Sequence, residues 1–174
     1  MKKNIIYTYK NLIKIERYYL KKKKISNFHK IKLADGCMAI IIKDKKILIV
    51  KEFRAAFNTY TYGLPGGMVD KNESPMSCMK REIKEELGIN LKYVKKIFGY
   101  KRNGNYDCGN DHIFLCKPKN FSIKLEKDIF YSWKSPLNIV KMIKEGKFKT
   151  PGVIAALFHF LLENNNLKLI DRWV

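Results

Sequence analysis

Gly67-Met68-Val69-Asp70-Lys71-Asn72-Glu73-Ser74-Pro75-Met76-Ser77-Cys78-Met79-Lys80-Arg81-Glu82-Ile83-Lys84-Glu85-Glu86-Leu87-Gly88-Ile89 is the stretch on which the reading of the whole chain turns. Ser74 before Pro75 is a helix start, because the serine hydroxyl can accept an orphan N–H and proline at the first helical position sacrifices no hydrogen bond. Met76, Met79, Ile83 and Leu87 recur three or four residues apart on one face, and Gly88 offers the left-handed stop. The spacing predicts one helix from about Pro75 to Leu87. On it Glu82, Glu85 and Glu86 stand at i, i+3 and i+4, so three carboxylates project together beside the apolar stripe. Arg81 and Lys84 neutralise part of that charge. Taken alone, such a face is a solvated helix surface laced with Lys/Glu pairs; beside a glycine loop it is also a set of hard oxygens suited to magnesium or manganese.

That loop is Gly63-Leu64-Pro65-Gly66-Gly67, where the backbone can approach a ligand without side-chain clash and the Gly67 carbonyl can join the carboxylates as an oxygen donor. Further upstream, Cys37 to Ile42 and Ile47 to Val50 are apolar runs separated by Lys43 to Lys46, which predicts two buried strands in a hairpin. Residues 1–33 mix β-branched and aromatic residues with lysines: Ile5, Ile6, Tyr7 and Tyr9, then Tyr18, Tyr19 and Leu20. They read as an amino-terminal β-hairpin or arm with Lys21 to Lys24 as its basic turn. Such an arm is either a solvated edge whose charges block strand pairing or a means of forming a homodimer. Downstream, Ser135-Pro136 with Leu137, Val140 and Ile143 predicts a helix ending at Gly146, and Thr150-Pro151 opens another over Val153 to Leu162. Strands flanked by helices give a mixed α/β layout, with no internal repeat and no linker marking a second compact domain.

With 174 residues, 46% hydrophobic and 13% aromatic, the chain is long enough for one core and too apolar for wholesale disorder. The net charge is +20, yet only Arg17, Arg54, Arg81, Arg102 and Arg172 are arginines. An excess of Lys, Ile, Asn and Tyr reads as the drift of an AT-rich genome; it also creates a field that concentrates anionic phosphates or weakly holds nucleic acid. Charge alone does not choose between these. Cys37, Cys78, Cys108 and Cys116 form no CxxC pair, and His29, His112 and His159 sit at no zinc spacing, so the thiols are expected to be reduced. The first residues make a poor signal peptide and no apolar run approaches the roughly 20 residues of a membrane span, so the expectation is a cytoplasmic protein without a membrane partner.

In the pattern G-x5-E-x7-R-E-U-x-E-E-x-G-U, with U aliphatic, the sequence resembles the Nudix hydrolase family, matching at Gly67, Glu73, Arg81, Glu82, Ile83, Glu85, Glu86, Gly88 and Ile89. The resemblance implies a Nudix-type α/β/α sandwich with a mixed sheet over residues 34–174, preceded by the 1–33 arm. It implies a hydrolase of nucleoside diphosphate derivatives that uses Mg2+ or Mn2+, with Glu82, Glu85, Glu86 and the Gly67 carbonyl as metal ligands. Glu82, Glu85 and Arg81 are thereby candidate catalytic residues, and Glu73 and Gly88 structural ones, Arg81 bracing loop and helix through a carboxylate. A general base in such domains is often an acidic residue in a later loop. Between Asn103 and Asp111 the candidates are Asp111 and Asp107, with Glu126 and Asp128 behind them; each doubles as an ordinary turn-former.

Lys51-Glu52-Phe53-Arg54 looks like the strand end of ADP-ribose and sugar-nucleotide pyrophosphatases, which makes Arg54 and Glu52 candidate substrate contacts. The closing apolar helix is similar to the one in that subgroup. Against it, Leu64-Pro65-Gly66-Gly67 replaces the common Leu-Pro-Ala-Gly, and no proline follows between Pro75 and Pro118. Tyr106 sits near where dinucleoside polyphosphate hydrolases tend to carry a tyrosine, to stack on a base or simply to pack. Nucleoside triphosphates, dinucleotides and RNA 5′ ends are thus alternative substrates, and a nucleotide-binding Nudix-like sensor is the non-enzyme alternative.

Overall fold

A computed structural model describes residues 2–10, 13–19, 28–102, 107–126 and 128–163. Strands β1 (Lys2–Tyr9), β2 (Ile13–Tyr19) and β3 (Phe28–Leu33) form a three-stranded antiparallel sheet. They are followed by β4 (Gly36–Lys43), β5 (Lys46–Arg54), β6 (Thr59–Gly63), helix α1 (Pro75–Leu87), β7 (Leu91–Lys101), β8 (Asn110–Pro118), β9 (Phe130–Lys134), α2 (Pro136–Lys144) and α3 (Pro151–Glu163). The larger sheet runs β6-β5-β4-β8-β7, with β9 added to β5. It is mixed: β4 and β8 are parallel and the other pairs antiparallel.

The apolar runs of β4, β5 and β8 are continuous because helices cover both faces of the sheet. Alternation with period two sends Cys37, Ala39, Ile41, Leu48, Val50, Phe114 and Cys116 to one face, against Cys78, Met79, Ile83 and Leu87 of α1. Ile40, Ile47, Ile49 and Ile113 go to the other, against Ile139 of α2 and Val153, Ala156, Leu157, Phe160 and Leu161 of α3. This is the expected α/β/α sandwich. The β4–β5 hairpin turns on Asp44 and Lys45, both at positive φ (49° and 59°), the backbone that a two-residue hairpin requires. Among the described residues no helix is long and apolar enough to cross a membrane.

The punctuation of α1 is as the sequence predicts. Ser74 Oγ accepts the Ser77 N–H at 3.1 Å, Pro75 is the first helical residue, and Gly88 at φ 67° donates to the Lys84 carbonyl at 3.0 Å. The apolar face differs by a small rotation. Met76 is exposed, whereas Cys78 and the carboxylate-bearing Glu86 are buried.

The amino-terminal segment departs from a simple hairpin. Its first reversal follows Tyr9, where Lys10 takes φ 48°, and a third strand, β3, joins the sheet; Lys21 to Lys24 lie outside the described residues. A parallel bridge between Ile31 and Asp107, and a Cys108 N–H bond to the Ile31 carbonyl at 3.2 Å, attach this sheet to the loop before β8. Within it Glu16 is buried, receiving Lys14 Nζ at 2.8 Å, the Tyr18 hydroxyl at 2.6 Å and Lys3 Nζ at 3.3 Å. Those donors, Lys14 foremost and then Tyr18, pull its carboxyl from the usual 4.5 down to about 2. A depressed carboxylate stabilises the fold above its unfolded pKa, and the contribution fades as pH falls through the folded one. Glu16→Gln is therefore expected to be less stable than wild type at pH 7, the difference closing between about pH 4.5 and about pH 2 in urea titrations. A gap independent of pH would refute that origin.

Candidate active site

The glycine loop gains its place from a gap in the sheet. β5 pairs with β4 only at Ile47 and Lys46, then diverges to β6 and β9, and residues 65–69 lie along the vacated edge of β4. The Ala39 N–H binds the Pro65 carbonyl and the Cys37 N–H the Gly67 carbonyl, both at 2.9 Å, while the Val69 N–H binds the Asp35 carbonyl at 2.8 Å. A Cβ on Gly66, at φ 149°, would strike the Cys37 carbonyl, and one on Gly67 would strike the Glu82 carboxylate. Gly66 is thus required by close approach of backbone, and a side chain at Gly67 would displace the Glu82 carboxylate. The Gly67 carbonyl, a candidate oxygen ligand, keeps one lone pair beyond its bond to Cys37.

Arg81 organises the carboxylates. Its Nε and Nη2 grip both oxygens of Glu73 at 3.1 and 3.0 Å, Nη1 donates to Glu82 at 2.8 Å and Glu85 at 3.0 Å, and Nη2 also reaches the Met68 carbonyl at 3.1 Å. Glu73 in turn accepts the Asp70 N–H at 3.1 Å, so one guanidinium ties loop to helix. Its pairing with Arg81 holds the Glu73 carboxyl below the usual carboxylate range. Glu82 behaves oppositely: burial raises its carboxyl in spite of Arg81. Glu86 accepts the Gly66 N–H at 3.1 Å, and burial together with the nearby Glu52 pushes its carboxyl up to about 8. Glu52 is itself raised by burial and pairs with Arg54 on the end of β5, beside Gly63. The structure thus brings Glu52 and Arg54 to the same place as Glu86 and the glycine loop.

The later-loop candidates stand differently. Asp111 is the second residue of β8 and is held by the Tyr100 hydroxyl at 2.8 Å and Arg102 Nη1 at 3.1 Å, close to Gly36 and Gly152. Arg102 Nε also binds Asp107 at 2.9 Å, whose other oxygen accepts the Gly109 N–H at 2.8 Å. Glu126 meets the site by its backbone, donating to the Glu86 carbonyl at 3.0 Å, and Asp128 occupies a turn at φ 67°. Tyr106 lies outside the described residues. Sequence reasoning passed over Tyr100 and Arg102. A signal for the second existed: in a chain so rich in lysine, a retained arginine marks a need for a planar, multidentate donor.

Among the described residues no three acidic, histidine or cysteine side chains converge on a single ion position, since Glu82 and Glu85 both close on Arg81. The donor set nevertheless suits a hard divalent cation. All its atoms are oxygens, Gly67 leaves an approach free of side chain beside Glu82, and Glu86 is a buried carboxylate with no cationic side chain bonded to it.

An α/β/α sandwich presenting a glycine loop against a helix of arginine-braced glutamates defines a class of domain, and comparison with known proteins gives it a name. The family model described as NUDIX domain matches residues 32–132, and the chain belongs to the Nudix family. An ADP-ribose pyrophosphatase of Methanocaldococcus jannaschii is 39% identical over 85 residues, 49% of this chain and 47% of that protein. A CMP-5'-(N-acetyl-N-hydroxy-3-aminopropyl)phosphonate hydrolase of Streptomyces rubellomurinus is 30% identical over 89 residues, 50% of this chain and 43% of that protein. These matches span about half the length of each relative or less. A crystal structure of an ADP compounds hydrolase superposes with a TM-score of 0.71, covering 94% of this chain and 96% of its own at 16% identity, which establishes the shared fold.

Proposed function

We propose that this chain hydrolyses the diphosphate linkage of a nucleoside diphosphate derivative, of the ADP-ribose or sugar-nucleotide type, to a nucleoside monophosphate and a phosphorylated product. The observation that carries this reading is the placing of Glu82 and Glu86 against the Gly66-Gly67 backbone while Arg81 holds Glu73, Glu82 and Glu85 in position. Glu82, Glu85, Glu86 and the Gly67 carbonyl would hold Mg2+ or Mn2+. A bound divalent ion supplies charge withdrawal from the diphosphate and a water of lowered pKa.

The chain's own groups do the rest. Arg54, on the strand end beside Glu86, binds a substrate phosphate or terminal sugar by exchanging its bond to Glu52 for one to the ligand. Glu85 is the most exposed of the three helix glutamates, with 55% of its side chain accessible against 15% for Glu82, and it is the one able to leave Arg81 and take a proton from water. Asp111, with both oxygens engaged by Tyr100 and Arg102, acts as a brace for the loop before β8. The ADP-ribose pyrophosphatase relative supports the substrate class.

A second reading, cleavage at RNA 5′ ends, is favoured by a groove of about 490 Å³ beneath the amino-terminal sheet that collects Lys3, Lys14, Lys30, Lys32 and Lys101. Lys14 and Lys32 are directly opposed across β2 and β3, with Lys14 already paired to Glu16 at 2.8 Å.

The test is a phosphate-release panel over ADP-ribose, sugar nucleotides, dinucleoside polyphosphates, nucleoside triphosphates and triphosphorylated RNA, with Mg2+ or Mn2+, for wild type and Glu85→Gln. The expected result is turnover of a small diphosphate, reduced about 100-fold or more in the variant. Preference for RNA with steep salt dependence would transfer the assignment to the second reading. Binding without turnover of any substrate would make the domain a sensor.

A further inference from the structure

We propose that Cys37 and Cys78 are a disulfide-forming pair, a modification site that takes a small hydroperoxide as oxidant and locks α1 to β4. The two Sγ atoms lie 2.8 Å apart, although one belongs to the first residues of β4 and the other to the second turn of α1, 41 positions along the chain. That separation is well inside the roughly 3.5–4.0 Å optimum of non-bonded heavy atoms, and less than 1 Å beyond the about 2.05 Å of a sulfur–sulfur bond. Both thiols are free, and the core holds them facing each other on the α1 side of the sheet. Closing the bond therefore needs the two sulfurs to approach by less than 1 Å.

The position gives the bond a consequence. The Cys37 N–H holds the Gly67 carbonyl, its own carbonyl lies under Gly66, and Cys78 Sγ is 3.6 Å from Arg81 Nη2. A cross-link would join the strand that carries the glycine loop to the helix that carries the glutamates. The other two cysteines are placed differently: Cys108 is half-buried by the amino-terminal sheet, and Cys116, in the same core cluster as Cys37, has its Sγ on the Phe114 carbonyl at 3.9 Å.

The chemistry balances with a peroxide. Cys37, 2% exposed against 0% for Cys78, gives up its proton and attacks a peroxide oxygen. The O–O bond breaks, one oxygen stays on sulfur as a sulfenic acid, and the other leaves with the thiol proton as water from hydrogen peroxide or as an alcohol from an alkyl hydroperoxide. Cys78 sulfur then attacks the Cys37 sulfur, the S–O bond breaks, and the Cys78 proton leaves with the hydroxide as water. Two thiols have lost two electrons and two protons. Burial restricts the first step to a small oxidant and makes it slow, gated by local opening of the α1 edge.

The experiment treats the folded, reduced protein with hydrogen peroxide, alkylates remaining thiols under denaturing conditions, and maps the peptides without reduction. The expected result is a linked Cys37–Cys78 peptide, retained in Cys108→Ser and lost in Cys78→Ser. Closing a loop of 41 positions should also raise the melting temperature of the oxidised protein by roughly 5–15 °C, reversed by dithiothreitol. Wild type with and without reductant supplies this comparison, so the test survives a variant that folds poorly. Cys37 and Cys78 both still alkylated after peroxide, a linkage through Cys108 or Cys116, or oxidation of Cys37 without cross-linking would each overturn the proposal. No substrate is needed, so this outcome is separate from that of the hydrolysis assay.

Discussion

Arg81→Lys should lose about 2–4 kcal/mol of stability and nearly all of the proposed hydrolysis, even though the charge is retained. The guanidinium donates at once to both oxygens of Glu73, to Glu82, to Glu85 and to the Met68 carbonyl. An ammonium group is a single point with three protons and cannot span that set, so at least one half-buried carboxylate is left without its donor. Glu73 and Glu82 have only 16% and 15% of their side chains accessible, and water cannot replace the lost bonds in full. The loop between Gly67 and Glu73 then loses its tether to the helix. Urea unfolding and the phosphate-release assay measure the two effects separately. A lysine variant with unchanged midpoint and rate would show that the arginine network is ornamental.

Glu86→Gln should separate stability from activity. The wild-type carboxyl is buried and repelled by Glu52, both of which oppose its ionisation, while the neutral amide keeps the shape and its oxygen can still accept the Gly66 N–H. The metal-free variant is therefore expected to melt at the same temperature as wild type or higher, while the proposed hydrolysis falls about 100-fold or more through loss of a proposed cation ligand. A buried acid whose ionised form is disfavoured by its surroundings is common where function needs it. A variant that is both destabilised and fully active would remove Glu86 from the proposed site.

Much of this arrangement is legible in the residues. Local rules place α1, because Ser74, Pro75 and Gly88 punctuate it with chemistry that does not depend on the rest of the chain. The two-sided burial of β4 and β5 follows equally from their unbroken apolar runs. Periodicity fails at Met76 and Glu86, where a short rotation of the helix on the sheet exchanges a methionine for a carboxylate. Hydrophobicity alone cannot foresee that exchange, since the burial of Glu86 is compensated by the Gly66 N–H, a long-range partner. The position of the glycine loop on the edge of β4 is hidden for the same reason: it depends on where β5 diverges. Asp111 looks like an isolated loop acid in the sequence, and its engagement by Tyr100 and Arg102 arises only when β7 and β8 pair.

The parallel pairing of β4 with β8 sets the order in which the molecule can assemble. Gly36 registers with Asp111, so closing this central ladder brings together positions 75 apart, whereas the β4–β5 hairpin closes across two residues. Chain-closure entropy makes the long-range contact the slower event. Helix α1 and the glycine loop both lie within the segment it closes, and the face of the sheet that receives α1 needs Phe114 and Cys116 from β8 to be complete. Helix formation is then expected to be an early, reversible event on the refolding pathway, and the juxtaposition of glutamates and backbone loop a late one. Recovery of the proposed nucleotide binding after dilution from denaturant should accordingly lag behind the return of helical signal and coincide with consolidation of the central strands.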